Sequence, residues 1–120
     1  MINPLHRELS AERWWTFTLA EQLGNVGSEV SRALKWRHRN PGVSAGAMAR
    51  ALELIDLTLD DPRYRSSVAR LRELCRAREV LLDFLVGSNQ YGSTEATLQR
   101  YFDVFAAGAI RSRGREHDSV

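Results

Sequence analysis

The sequence predicts an all-α protein folded as an antiparallel up-down four-helix bundle. Clusters of turn-forming Pro, Gly, Asn and Asp divide the 120-residue chain into four segments. Each segment repeats apolar residues at steps of three and four, the period of a helix with one buried face, and none alternates as a strand does. Because the connections are short, consecutive helices are expected to be antiparallel neighbours. The breaks fall at residues 40–42, 60–62 and 87–93.

The first helix is predicted over residues 11–37, with Ser10 as its N-cap. A row of small residues lies beside its apolar stripe, and two of them are interior glycines that cost about 1 kcal/mol each relative to alanine. Close approach of another helix would offset that cost, so we expect a helix–helix contact along this row. A local kink near Gly24 is the alternative. The row comprises Ala20, Gly24, Gly27 and Ser31.

The other three helices follow from the same signals. Ser44 is a good N-cap for the second, Gly87 fits the C-terminal end of the third, and Ser93 or Thr94 precedes the fourth. They are predicted over residues 45–60, 65–87 and 94–110. The chain then divides into an N-terminal arm, a bundle and a polar tail, at residues 1–10, 11–110 and 111–120.

Length and composition point to one small cytoplasmic domain. The mass of 13.6 kDa leaves room for a single core. No apolar run approaches a membrane span of about 20 residues, and the first ten residues lack the apolar segment of a secretory signal. The single cysteine, Cys75, excludes an intramolecular disulfide and lies on the predicted apolar face of the third helix.

The basic residues suggest a contact with nucleic acid. The net charge is only +2, but Lys35 is the only lysine among 17 basic residues, and arginine pairs bidentately with phosphate. A genome rich in G and C would explain the arginine bias equally well. Two groups are candidate phosphate contacts: Lys35, Trp36, Arg37 and Arg39 at the end of the first helix, and Arg65, Arg72 and Arg76 on the third. Favourable charge at a helix C-terminus and a solvated helix face are the structural alternatives.

Arg78 falls inside the apolar arc of the third helix. A buried arginine must be paired, so we expect an ion pair that fixes the helix register, with an anion-binding pocket as the alternative. The candidate partners on the first two helices are Glu21, Glu29, Glu53 and Asp56.

Three aromatic residues close together in the first helix suggest self-association. Trp14, Trp15 and Phe17 occupy different faces, whereas each helix of a bundle has one inward stripe. We expect Trp14 to remain outside the monomer and to contribute to a homo-oligomer.

No catalytic constellation is evident, so we expect a protein that is not an enzyme and needs no cofactor or metal. His6, His38 and His117 are scattered, and no phosphate-binding or dinucleotide-binding glycine loop occurs. A small helical nuclease is one alternative, because Arg32–His38 and Arg111–His117 share an arginine-to-histidine spacing that is found in helical ribonucleases.

In length, helix count and basic character, the chain resembles two groups of small bacterial four-helix-bundle proteins: the ribosomal-RNA intervening-sequence proteins and the accessory proteins of diversity-generating retroelements. The Asn-Ile-Ala-Glu-Gly stretch of the first group corresponds here to residues 25–29, Asn-Val-Gly-Ser-Glu. The resemblance implies a non-enzymatic, ring-forming oligomer that associates with RNA or DNA or with a nucleic-acid enzyme. A protein-binding adaptor or toxin-neutralising partner, with no nucleic-acid role, is the alternative function.

Overall fold

The computed structural model describes the backbone of residues 10–118 and the side chains of residues 10–105 and 107. The described backbone forms helices joined by turns and contains no strand, which confirms the all-α prediction. The arm up to residue 9 lies outside the described residues. The elements are α1 (Ala11–Trp14), α2 (Leu19–Trp36), α3 (Pro41–Leu59), a 3₁₀ turn η1 (Pro62–Tyr64), α4 (Val68–Leu85) and α5 (Glu95–Asp118).

The prediction of one continuous helix over residues 11–37 is wrong, because the chain breaks between α1 and α2. Thr18 is the N-cap of α2: its hydroxyl accepts from the backbone N–H of Glu21, and the Glu21 carboxylate accepts from the backbone N–H of Thr18. This reciprocal capping box satisfies two backbone donors that a helix start otherwise leaves unpaired. The local signal, Thr followed three residues later by Glu, therefore starts a new helix.

Other helix boundaries also differ from prediction. Asn40 caps α3 and Pro41 takes its first position, where a missing N–H costs nothing. Ser44 therefore lies inside α3, and its hydroxyl donates to the carbonyl of Ala33 at 2.6 Å. Ser67 caps α4, and the helical backbone of α5 continues to Asp118, through most of the expected tail.

The core forms where α2 packs against α3 and α5, and α3 packs against α4. Leu23 of α2 and Leu74 of α4 form a second, smaller buried cluster beside the main core. Ser44 at the start of α3 bonds near the end of α2, whereas Asp61, just after α3, bonds Gln22 near the start of α2. None of the helices in the described part of the chain combines the length and apolar character needed to cross a membrane.

Trp14 belongs to the core, so its predicted exposure is wrong. It is 1% exposed, and its indole N–H donates to the hydroxyl of Thr58 at 2.9 Å. Trp15 is partly buried and donates to the carbonyl of Leu57, while Phe17 packs edge-on against Trp14. The break after α1 places these rings across the end of α3, a geometry that a straight helix does not permit.

A buried polar network joins α2 to the segment that follows α3. The Asp61 carboxylate is fully buried and accepts from Gln22 at 3.1 Å and from the Arg63 guanidinium at 2.6 Å. Arg63 also donates to the carbonyl of Phe17, and Tyr64 donates to the amide oxygen of Gln22. Burial raises the pKa of Asp61, but the hydrogen bonds from Arg63 and Gln22, with the Arg63 charge, outweigh it and hold this pKa below its ordinary value.

The row of small residues on α2 is only partly a helix–helix contact. A β-carbon added at Gly27 would meet the Phe102 β-carbon of α5 at 3.9 Å, which is ordinary contact, but one added at Gly24 would meet nothing within 4 Å. Ser31 is exposed and Ala20 is half-buried. The contact prediction is therefore wrong for Gly24 and Ser31, and α2 is helical through both glycines, with no interruption near Gly24.

Replacement of Gly24 by alanine is expected to stabilise the fold. The added methyl group meets no neighbour, and alanine loses less backbone entropy than glycine in a helix, so the free energy of unfolding should rise by about 0.5–1 kcal/mol. Urea denaturation followed by circular dichroism measures the change. Gly92, which has a φ of +63°, is the control, because alanine there is strained and should destabilise the protein. A destabilised Gly24→Ala protein would show that another surface covers Gly24.

Candidate nucleic-acid interface

The outer face of α2 carries the best-placed group of cations. Arg32, Lys35 and Arg39 are exposed, and Trp36 lies half-buried among them. We call these four residues the cation strip. Their spacing of three, four and seven residues puts them on one side of α2 and of the turn that continues it. Arg32 and Arg39 have no salt-bridge partner within the described part of the chain.

Arg32 was missed as a contact residue by the sequence interpretation, which placed it only in the nuclease alternative. Its spacing in the sequence could have identified it: Arg32 precedes Lys35 by three residues and Arg39 by seven, which places all three on one face of a helix. Over residues 22–40 the only acidic residue is Glu29, and its carboxylate is turned towards α3, where it lies 3.3 Å from Arg50. The exposed outer face of this half of α2 is therefore positive or neutral.

Trp36 gives the cation strip an aromatic surface. The Lys35 ammonium lies 5.7 Å from the centre of the Trp36 ring. A half-buried indole next to unpaired cations provides the two elements by which proteins hold nucleic-acid strands, a stacking surface and phosphate contacts.

Arg37, a predicted phosphate contact, is engaged by residues of other helices and not by the cation strip. Its guanidinium lies over the Phe84 ring of α4, 4.5 Å from the ring centre, and one nitrogen is 3.4 Å from the Glu95 carboxylate of α5. His38 lies 3.3 Å from the same carboxylate. Arg37 thus connects the end of α2 to the end of α4 and the start of α5, and this structural use takes it out of the phosphate-binding group.

The second predicted group lies on and just before α4, which is not among the main packing partners of α2. Arg72 and Arg76 are exposed on α4, and Arg65 is exposed just before it. The main packing partners of α2 are α3 and α5, and these two helices also pack against α4 and lie between it and α2. A patch that joins the two groups is therefore not formed.

The arginines of the α4 group also have more aromatic and carboxylate neighbours than the cations of the cation strip. The Arg76 guanidinium lies 5.8 Å from the centre of the Tyr91 ring, and Tyr91 in turn donates to Glu79. Glu73, which pairs with the neighbouring Arg70, and Glu79 alternate with the arginines along this face. This face of α4 therefore carries positive and negative charges side by side.

Arg78 forms the expected kind of pair, but the pair is not buried. Its guanidinium nitrogen lies 2.8 Å from the Asp56 carboxylate of α3, one of the four predicted partners. The two side chains are 38% and 52% exposed, so Arg78 lies at the edge of the apolar arc. An exposed pair of this kind contributes about 0–1 kcal/mol. Cys75 is likewise exposed and not a core residue.

The described residues offer little for metal chemistry. No three His, Cys, Asp or Glu side chains among them lie close enough to hold a metal ion. Of the arginine–histidine pairs considered above, Arg32–His38 is described, with His38 next to Glu95. His6 and the side chains of Arg111 and His117 lie outside the described residues.

Comparison of the chain with known protein families, with curated proteins and with solved structures found no match.

Proposed function

We propose that this protein is a non-catalytic helical accessory protein that binds RNA or DNA through the cation strip and assists a nucleic-acid enzyme. The observation that carries the proposal is the group of exposed cations Arg32, Lys35 and Arg39, none of which forms a salt bridge within the described residues, with the half-buried Trp36 between them. Phosphate contacts of this kind give affinity with little sequence preference.

We also propose the antiparallel up-down arrangement for the four long helices. It is supported by contacts between opposite ends of neighbouring helices: Ala33 with Ser44, Gln22 with Asp61, and Arg37 with Glu95. In this arrangement the outer face of α2 runs along one side of the bundle, where a strand can reach the cation strip.

Self-association remains part of the proposal, although Trp14 does not support it. Val86 is 81% exposed and lines an apolar groove between α3 and the end of α4 that includes Met48 and Leu52. A second copy would repeat the cation strip and multiply weak binding through avidity. A native mass above 13.6 kDa in sedimentation velocity is the expected result.

The alternative is a protein-binding adaptor or toxin-neutralising partner with no nucleic-acid role. The same groove between α3 and α4 favours it, because its lining is largely apolar. The two functions differ in one testable property: the accessory protein binds RNA or DNA, whereas the adaptor does not.

Binding of a short labelled RNA or DNA, followed by fluorescence anisotropy, tests the proposal. Because three cations are available, we expect dissociation constants of about 10–100 µM at ~50 mM salt and marked weakening at higher salt. The slope of log affinity against log salt should be about −2 for a single strand, since each neutralised phosphate contributes about 0.7. Absence of binding at ~50 mM salt, with protein at ~100 µM, would favour the adaptor.

A further inference from the structure

We propose that the cation strip is built for one strand of nucleic acid and selects single-stranded RNA or DNA over duplex. This inference rests on the proposed function and specifies its substrate class. Three features of the described surface carry it: the width of the strip, the carboxylates at its borders, and the aromatic ring within it.

The cation strip is a single row. Arg32 and Arg39 are seven residues apart, which is a rise of about 10 Å along a helix. This length suits two or three consecutive phosphates of one strand. To lie in a duplex major groove, about 12 Å wide, α2 would need cations on both flanks to meet the phosphates of both strands.

Carboxylates occupy those flanks. On the α5 side, Asp103 borders the groove next to Gly27 and Ser31, and Glu95 lies near His38. On the α3 side is Glu29, which is paired with Arg50. Glu29 and Glu95 balance the charges of Arg50 and Arg37, and Asp103 adds a negative charge on the α5 side, so the flanks carry no surplus of cations to hold a second phosphate backbone. The remaining exposed arginine group lies on and just before α4, which α3 and α5 separate from α2.

The Trp36 ring favours binding of a single strand over a duplex. A base stacks on an aromatic side chain only when it is not already stacked between its neighbours, which is the condition of a single strand. The Trp36 ring lies within the row of cations, with the Lys35 ammonium 5.7 Å from its centre. A strand whose phosphates pair with Arg32 and Arg39 therefore passes its bases over this ring.

The test compares one labelled dodecamer as a single strand, as a blunt duplex of the same sequence, and as an abasic strand with the same phosphates. With wild-type protein at ~50 mM salt, we expect the single strand to bind at least tenfold more tightly than the duplex. Because stacking contributes a factor of about five or more per base, the abasic strand should bind at least fivefold more weakly than the normal strand. This comparison varies the ligand, so it does not depend on the folding of a variant.

Two substitutions locate the effect on the protein. Trp36→Leu should lose the preference for the single strand, whereas Trp36→Tyr, which keeps a ring, should retain it. Equal or tighter binding of the duplex, or equal binding of the abasic strand, overturns the inference while leaving the proposed function in place. Absence of binding to all three ligands overturns the proposed function itself.

Discussion

Trp14→Ala is expected to lower the free energy of unfolding by about 3–5 kcal/mol, the usual cost of truncating a large buried aromatic residue. Trp14 is 1% exposed, packs edge-on against Phe17 and donates its indole N–H to Thr58. The substitution leaves a cavity at the point where α1 crosses the end of α3. Thermal and urea denaturation followed by circular dichroism measure the loss.

Trp36→Ala is the matched control, because Trp36 is a half-buried tryptophan at the C-terminal end of α2. It should cost clearly less than the same change at Trp14, since its ring is already partly hydrated. Unchanged stability of Trp14→Ala, together with a reduced native mass, would show that Trp14 is an oligomer contact and that the core described here is incorrect.

Asp61→Asn is expected to cost about 2–4 kcal/mol at neutral pH. The substitution removes the charge that pairs with Arg63 and presents an amide N–H group where the carboxylate accepts hydrogen bonds from Gln22 and Arg63. The Arg63 side chain is 44% exposed, so water compensates part of the loss. The exposed neighbour Asp60 is the control, and Asp60→Asn should change stability by no more than about 0.5 kcal/mol.

The effect of Asp61 should depend on pH in a defined direction. Its pKa in the folded protein lies below the ordinary value, so its stabilising contribution is fully present above about pH 4. That contribution disappears as the pH falls through the lower folded pKa, because the protonated carboxyl no longer pairs with Arg63. The difference in stability between wild type and Asp61→Asn should therefore shrink below about pH 4. A constant difference from pH 7 to pH 3 would contradict the assignment of the network to a charged Asp61.

The all-α class and the approximate positions of the helices were predictable because local chemistry determines them. Asn40 and Ser67 cap helix starts through side-chain hydrogen bonds to nearby backbone N–H groups, and Pro41 fits a first helical position. The break at residues 15–18 was missed because the apolar step from Trp15 to Leu19 fits a continuous helix. The capping box at Thr18 and Glu21 outweighs that periodicity, and the changed chain direction buries Trp14.

The candidate site was predictable in part. The basic character of residues 35–39 is visible in the sequence, but the direction of each side chain depends on tertiary contacts. Arg37 is drawn away by Glu95 and Phe84, which lie 58 and 47 residues further along the chain. Arg32 does not pair with Glu29, the nearest acidic residue in the sequence, because Glu29 pairs with Arg50 of α3. Such long-range pairings leave no local pattern in the sequence.

Whether nucleic acid binds at the cation strip is tested by comparing two triple variants that have the same change in charge. The quantity compared is the salt dependence of single-strand binding. One variant carries Arg32→Gln, Lys35→Gln and Arg39→Gln in the cation strip, and the other carries Arg65→Gln, Arg72→Gln and Arg76→Gln near and on α4. We expect the first variant to lose most of its affinity and to flatten the slope of log affinity against log salt by about two units, since each lost phosphate contact removes about 0.7. The α4 variant should keep a slope within about half a unit of wild type. Equal losses in the two variants, or a larger loss in the α4 variant, would contradict the assignment of nucleic-acid binding to the outer face of α2.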